Sequence, residues 1–452
     1  MMELANISRV HMLGIGGIGM SALARFLKMH GKVVSGYDKT ATPLTAELEA
    51  EGIPVHFHED PSKLHGCDLL VYTPAVPKSH AEFTAALSSG IPMVKRAEML
   101  GMISRAFKTI AVAGTHGKTS TTGLITHLLR SCGLDVTGFV GGITNNYGTN
   151  FIPGKSEWMV VEADEFDRSF LQLSPDIAVI TSMDADHLDI YGDAGQVTES
   201  YLSFAHKLKP GGTLFIQHAL PEVELTGDCK AFPYGVGGGI CRADNLHHRG
   251  LGVTFDYHSM AGSFRGLNLN LPGRYNVENA TAAVSVAVSL GAAEADIRKG
   301  LESFNGIKRR FDIKYRSEEV VYIDDYAHHP TEISAMLEAV RSMLPGYKLI
   351  VAFQPHLYTR TRDFHVGFAS ALSLADAVVL LDIYPARELP IEGVSSDMVF
   401  DLIELEDKCR SSLSGLLESL NRYRTRPAVV VTVGAGDIDT QVESVKSLVS
   451  TW

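Results

Sequence analysis

The chain alternates between short, unbroken apolar runs and stretches in which apolar residues recur every three or four positions, the two joined at glycine. An apolar run bounded by turn residues suits a buried strand, and the longer period suits a helix with one face on a core. "RVHMLGIGGIGMSALARFLKMHG", from Arg9 to Gly31, has this order of strand, glycine turn and helix, and so does "KTIAVAGTHGKTSTTGLITHLLRSCG", from Lys108 to Gly133. A third region is less compact: "YKLIVAFQPHLYTRTR", "DAVVLLDIYPAREL" and "RPAVVVTVGAGDI" are buried-type strands running into polar loops. Between the second and third, "LNLNLPG" alternates like a half-exposed antiparallel strand. "NVENATAAVSVAVSLG" then places Val277, Ala280, Val284 and Val288 on one helical face and stops at Gly291.

Strands that alternate with helices predict an α/β protein with parallel sheets. At 452 residues the chain exceeds one ordinary core. The expected division is a Rossmann-like domain over 1–107, a central P-loop α/β domain with extra antiparallel strands over 108–307, and a second Rossmann-like domain over 308–452. A net charge of −12 with no basic stripe argues against a nucleic-acid partner. Anionic ligands must then be held by glycine turns, helix N-termini and single basic residues. Five scattered cysteines without a C-x-x-C pair suit a reducing compartment. With no signal-peptide pattern and no stretch suited to a membrane helix, a cytoplasmic protein without membrane insertion is expected.

The first glycine turn satisfies G-x-G-x-x-G through Gly14, Gly16 and Gly19, with Asp38 about 20 residues further on. Alone, that fingerprint fits an NAD-dependent oxidoreductase, with Asp38 on a ribose hydroxyl or merely capping a turn. The second turn, "AVAGTHGKTS", offers backbone amides and a helix N-terminus to phosphates, a point charge in Lys118, and a hydroxyl for Mg²⁺ in Thr119. It departs from the strict P-loop pattern, because Val112 stands where the first glycine belongs.

Two further strands end in acid: "WMVVEADEFD" in Glu162, Asp164, Glu165 and Asp167, and "DIAVITSMDADHLD" in Asp184, Asp186, His187 and Asp189. Carboxyl ends of strands are where open α/β sheets bind ligands, so Glu162 and His187 with Thr119 form a candidate Mg²⁺ site. "GIKRRFD" and "HLYTRTR" supply arginines suited to phosphate or carboxylate, or else to exposed basic loops. In "YIDDYAHHPTEI", His328 and His329 fit metal ligands, acid–base groups, or loop histidines ahead of a helix capped near Thr331. No serine-hydrolase elbow or reactive-cysteine signature is present.

The ordered series "HMLGIGGIGMSALA", "AGTHGKTSTT", "VVEADEFDRSF", "DADHLD", "LPGRYNVENATAA", "KRRFD", "DDYAHHPTEI", "FQPHLYTRTR" and "GAGDI" resembles the Mur ligases, and within them the alanine-adding branch. It runs over nearly the whole chain. The resemblance implies ATP-driven amide formation in peptidoglycan precursor synthesis, with ATP, UDP-N-acetylmuramate and L-alanine as partners and Mg²⁺ as cofactor. A tripeptide-recycling Mur-type ligase is the nearer alternative, and the oxidoreductase or a non-enzymatic nucleotide switch the remoter ones. By motif, Gly14, Gly16, Gly17, Ile18, Gly19, Met20 and Asp38 would bind the UDP-sugar. Gly114, Thr115, His116, Gly117, Lys118, Thr119 and Ser120 would hold the triphosphate. Asn276 and Asn279 would lie by the adenine, Asp325 near its ribose and Arg310 near the γ-phosphate. Thr119, Glu162 and His187 would ligate the metal, and Lys118, His328 and Arg360 would be catalytic, the last two facing the amino acid. Leu202 lies where several relatives carry a carbamylated lysine, so none is expected. Leu357 replaces an arginine common in relatives, and Tyr275 a histidine. The expected assembly is a monomer or weak homodimer.

Overall fold

The computed structural model describes residues 6–184, 191–386 and 388–452. They divide into two compact units, Met1–Ala243 with Tyr257–Phe264 and Asn279–Leu301, and Asp244–Asp256 with Arg265–Glu278 and Glu302–Trp452.

The first unit carries a five-stranded parallel sheet of β1 (Arg9–Leu13), β2 (Val33–Tyr37), β3 (Val55–His56), β4 (Leu69–Tyr72) and β5 (Met93–Lys95). Its order is β3-β2-β1-β4-β5, so strand order reverses beside β1, and the glycine turn sits at the carboxyl end of that strand. The second sheet contains β6 (Lys108–Ala113), β7 (Thr137–Phe139), β8 (Phe151–Ile152), β9 (Trp158–Glu162), β10 (Ile177–Ile180), β11 (Thr213–Gln217) and β12 (Lys230–Val236), in the order β12-β11-β10-β6-β9-β7-β8. It extends past β12 through β13 (Cys241–Arg249), β14 (Gly252–Ser259) and β15 (Gly262–Leu269). Val112 of β6 stands opposite Glu162 of β9, and Ala113 opposite Ile180 of β10. The second glycine turn therefore leaves the sheet between the two acidic strand ends.

One core serves both sheets. Val10, Met12 and Phe26 are buried in the same cluster as Ala111, Phe139, Phe151 and Val161. The Phe26 ring lies 5.8 Å from Phe107, 5.3 Å from Phe139 and 6.4 Å from Phe151. A polar tie crosses the same seam: Arg25 donates to Asn150 Oδ1 at 2.7 Å, and Asn150 donates to the Ile18 carbonyl.

The second unit has β16 (Asp312–Arg316), β17 (Val320–Asp325), β18 (Lys348–Phe353), β19 (Ala377–Leu381), β20 (Lys408–Ser411) and β21 (Ala428–Val433), ordered β16-β17-β21-β18-β19-β20. All neighbours are parallel except the β16–β17 pair. Clusters on both faces bury β17, β18, β19 and β21, which explains their continuous apolar runs.

The helix Arg274–Ser289 departs from its sequence pattern. The single apolar face expected of it is instead nearly all-round burial from Asn276 to Ala287. Its small polar residues permit this, because Ser285 donates to the Thr281 carbonyl at 2.7 Å and bonds the Tyr257 hydroxyl at 3.1 Å. Among the described residues no helix is long and apolar enough to cross a membrane.

Candidate active site

The first glycine turn is built from close backbone approaches. The amides of Gly14 and Ile15 both donate to the Tyr37 carbonyl, at 2.8 and 3.0 Å. Gly14 has φ +82°, and a Cβ there would fall 2.4 Å from the Thr73 side chain. Gly17 caps the helix Ile18–Met29 without a side-chain bond. Ile18 is exposed on the turn, whereas Met20 packs into the core behind it. Asp38, left open between a ribose contact and a turn cap, accepts the Gly16 amide at 2.8 Å and the Thr40 amide at 3.2 Å. Its carboxylate braces the turn.

The second turn opens the helix Lys118–Ser131, with Ser120 in its first turn. Gly114 and Gly117 have φ +139° and +80°. A Cβ would meet Thr181 Oγ1 at 2.0 Å from the first and Asn279 Oδ1 at 2.7 Å from the second. Only glycine allows this path. Thr115 donates to the Asp184 carbonyl at 2.8 Å, the His116 amide donates to Ser182 Oγ at 2.7 Å, and His116 Nε2 lies 3.0 Å from Asp184 Oδ2. These bonds pin the loop to the end of β10.

Thr119 Oγ1 donates to Glu162 Oε1 at 3.0 Å, and Glu162 Oε2 accepts the Gly141 amide at 2.8 Å. A hydroxyl and a carboxylate in contact, beside a phosphate-type loop, are hard oxygen donors that fit Mg²⁺. His187, the third expected ligand, lies outside the described residues, as do Asp186 and Asp189. Lys118 Nζ donates to the carbonyls of Gly114 and Thr115, at 2.6 and 3.2 Å, and to Glu165 Oε1 at 2.9 Å. Burial, helped by Asp164, pushes the Glu165 carboxyl up to about 7 against the pull of Lys118. The lysine itself is held above its ordinary value: Glu165 and Glu162 outweigh its own burial.

Residues expected by the nucleotide fall partly in the second unit. Asp325 is buried and accepts the amides of Phe311 and Ala327, at 2.6 and 2.7 Å. Burial raises its carboxyl to about 6. Tyr275 is partly buried near it, its hydroxyl pushed well up by desolvation and by Asp325. Asn276 donates to the Pro272 carbonyl at 2.7 Å, and Asn279 follows one turn later on the same helix. The paired arginines divide their roles. Both guanidiniums lie over the Tyr326 ring, at 5.2 and 5.0 Å, but Arg309 is bound to Asp324 at 3.1 Å and to the Gly434 carbonyl at 2.6 Å, whereas Arg310 is 3.9 Å from Glu332.

His328, His356 and Arg360 gather at the ends of β17 and β18. Arg360 Nη1 lies 3.2 Å from His356 Nδ1, and the two histidine rings are 6.3 Å apart. His328 Nδ1 meets the Tyr326 carbonyl at 3.0 Å. The following helix is capped near Thr331 as expected, by His329, whose ring accepts the Thr331 amide at 3.3 Å. Leu357 is buried at φ +71° and offers no charge; Arg360 on the next turn is the guanidinium of this cluster.

Three positions escaped sequence reasoning. Glu165 was one carboxylate among four in an acidic run, and only the fold shows that it turns inward. Arg96 lies 3.1 Å from Asp164, sixty-eight positions away in sequence. Glu82, fully buried, accepts His11 Nε2 at 2.8 Å, His56 Nε2 at 2.9 Å and the Asp60 amide at 3.0 Å. Burial works against its charge, yet these donors hold its carboxyl at about 2.

Comparison with known proteins returns the same family along the chain. The model for the Mur ligase family, catalytic domain, matches residues 9–108; the Mur ligase middle domain matches 112–287; and the Mur ligase, glutamate ligase domain, matches 309–436. A UDP-N-acetylmuramate–L-alanine ligase from Cytophaga hutchinsonii is 44% identical over 99% of this chain and 98% of its own. The enzyme of that name from Porphyromonas gingivalis is 45% identical over 98% of this chain and 100% of its own. The crystal structure of UDP-N-acetylmuramate–alanine ligase from Thermotoga maritima superposes with a TM-score of 0.82 at 29% identity, covering 98% of this chain and 100% of that one. On all three grounds the chain belongs to the Mur ligase family.

Proposed function

We propose that this chain joins L-alanine to the lactyl carboxylate of UDP-N-acetylmuramate, converting ATP to ADP and phosphate, in the cytoplasmic assembly of peptidoglycan precursors. The observation that carries it is the pair of glycine turns, each opening a helix at the carboxyl edge of a parallel sheet, in a chain whose full-length relatives bear that enzyme's name. A single dinucleotide fold needs one such turn; two diphosphate-bearing substrates need two. In this reading residues 1–107 hold the UDP-sugar, 108–307 hold ATP, and 308–452 serve the amino acid.

A free carboxylate is a poor electrophile. Transfer of the γ-phosphoryl group to a lactyl oxygen converts it to an acyl phosphate, with ADP leaving. The alanine nitrogen then attacks the acyl carbon, the C–O bond to phosphate breaks, and the nitrogen loses its proton. Neither step needs a protein nucleophile; both need charge neutralised on phosphoryl oxygens. Lys118 and the loop amides answer the triphosphate, Arg310 its terminal charge, and Asn276, Asn279 and Asp325 the nucleoside. Thr119 and Glu162 would hold Mg²⁺, which supplies further neutralisation when bound. His328 and Arg360 serve the incoming alanine, with the guanidinium suited to its carboxylate.

The test is phosphate release measured with each substrate omitted in turn. Turnover requires both UDP-N-acetylmuramate and L-alanine; full-rate hydrolysis without the sugar nucleotide would sink the reading. Replacing L-alanine by a preformed tripeptide as acceptor distinguishes the recycling ligase.

A further inference from the structure

Two neighbouring carboxylates of one short segment are gripped by two basic residues, Lys118 of the second glycine turn and Arg96, which opens a helix of its own and packs against the first turn. Glu165 takes Lys118 of the second turn through both oxygens, at 2.9 and 2.8 Å. Asp164 Oδ2 takes Arg96 Nη2 at 3.1 Å. That guanidinium lies against the first turn, with Nη1 2.8 Å from where a Cβ on Gly19 would stand. Lys95 extends the grip to Asp167 at 2.9 Å. The segment then runs through Asp167 and Arg168, both at φ +53°, a conformation that non-glycine residues hold only when their surroundings enforce it. Arg168 covers the Tyr191 ring at 5.5 Å, and the Tyr191 hydroxyl donates to the Glu165 carbonyl at 2.5 Å.

The ammonium of Lys118 has three protons, and its partners are two loop carbonyls and Glu165. A phosphate recognised by Lys118 must take the place of one of them, and Glu165 is the only anion in the set. The same holds at Arg96: an anionic group reaching its guanidinium competes with Asp164.

We propose that residues 163–167 act as a shared counter-anion for the two turns. Glu165 and Asp164 stand where the anionic groups of the two substrates make their contacts, so each substrate displaces a carboxylate of the same five residues. Displacement at one turn loosens the grip at the other, and binding at the two turns is positively coupled. Glu165 and Asp164 are thus positioning residues. The inference rests on the assignment of the turns to ATP and UDP-sugar made above.

Calorimetric titration of the full chain with ADP–Mg²⁺ and with UDP-N-acetylmuramate, each alone and with the other saturating, tests it. Glu165→Gln keeps the shape and removes the charge; its Kd for ADP falls about 3- to 10-fold, the size of one competing ion pair, and the sugar-nucleotide Kd falls by a smaller factor because the grip at Arg96 loosens with it. Asp164→Asn, a half-exposed site tolerant of change, shows the reverse pattern. In the double variant the coupling between ligands drops towards none. A merely structural role predicts weaker binding in both variants, so unchanged or weakened affinity overturns the proposal. If the unaltered chain binds neither ligand, the turn assignment fails and the inference with it; if it binds both and the variants leave affinity unmoved, only the inference fails.

Discussion

Asp38 Oδ2 accepts the backbone amide of Gly16 at 2.8 Å, and the same carboxylate would crowd any side chain placed on that glycine. The acidic residue of the dinucleotide-type fingerprint thus fixes the turn from within. Asp38→Ala should weaken UDP-N-acetylmuramate binding about tenfold, comparable to loss of a helix-capping side chain. Asp38→Asn keeps an oxygen acceptor and should lose roughly threefold or less. Equal losses in both variants, measured by titration, would point to a contact with the ligand.

Lys118→Ala should lower kcat by at least about a hundredfold, as expected for removing a charge aimed at a developing phosphoryl transition state. UDP-N-acetylmuramate affinity should stay within roughly twofold. A parallel collapse of sugar-nucleotide binding would contradict the division of labour between the two turns.

At Gly117 an added methyl group would meet Asn279 Oδ1 at 2.7 Å from a backbone at φ +80°. Gly117→Ala should raise the KM for ATP about tenfold or more, since the left-handed conformation alone costs about 1–2 kcal/mol. Steady-state kinetics with saturating sugar nucleotide and alanine measure this directly.

Chelation should abolish ATP turnover, and Mg²⁺ should restore it. Thr119→Val removes the hydroxyl now in contact with Glu162, so half-maximal activity should require about tenfold more Mg²⁺. An unchanged Mg²⁺ dependence would remove Thr119 from the metal site.

Glu82 gives a pH signature remote from catalysis. Its carboxyl lies near 2 instead of 4.5, so it contributes stability above the higher value that is lost as pH falls towards the lower. The shift corresponds to about 3 to 3.5 kcal/mol. Denaturant unfolding of Glu82→Gln should show that deficit at pH 7 and a shrinking one between pH 4.5 and 2. A deficit independent of pH would mean that packing, not charge, holds the cluster.

Much of this was legible in the residues because the signals were local. A strand that breaks on Gly-x-Gly and resumes as a helix can hardly be anything else, and β1, β6 and their helices lie where the pattern puts them. What stayed hidden was long-range. Four carboxylates follow β9, and nothing in "EADEFD" distinguishes Glu162, which meets Thr119, from Glu165, which meets Lys118. The His11–Glu82–His56 cluster joins residues from β1, β3 and a helix start, with no spacing to betray it. In the helix Arg274–Ser289 the sequence marked one apolar face through Val277, Ala280, Val284 and Val288, but burial reaches further round, because its small serines and threonines can be buried once they bond a neighbour.

The ring of Phe26 belongs to the first sheet's helix by sequence and to the second sheet's core by contact. A fragment ending at residue 107 would carry that ring, with Met12 and Phe107, into water. Such a piece should be sticky and poorly behaved, and a binding assay on it would report on damage as much as on UDP. Libraries that shuffle sugar-nucleotide modules between ligases of this kind should therefore move the first two sheets together, not cut at the apparent junction near 108.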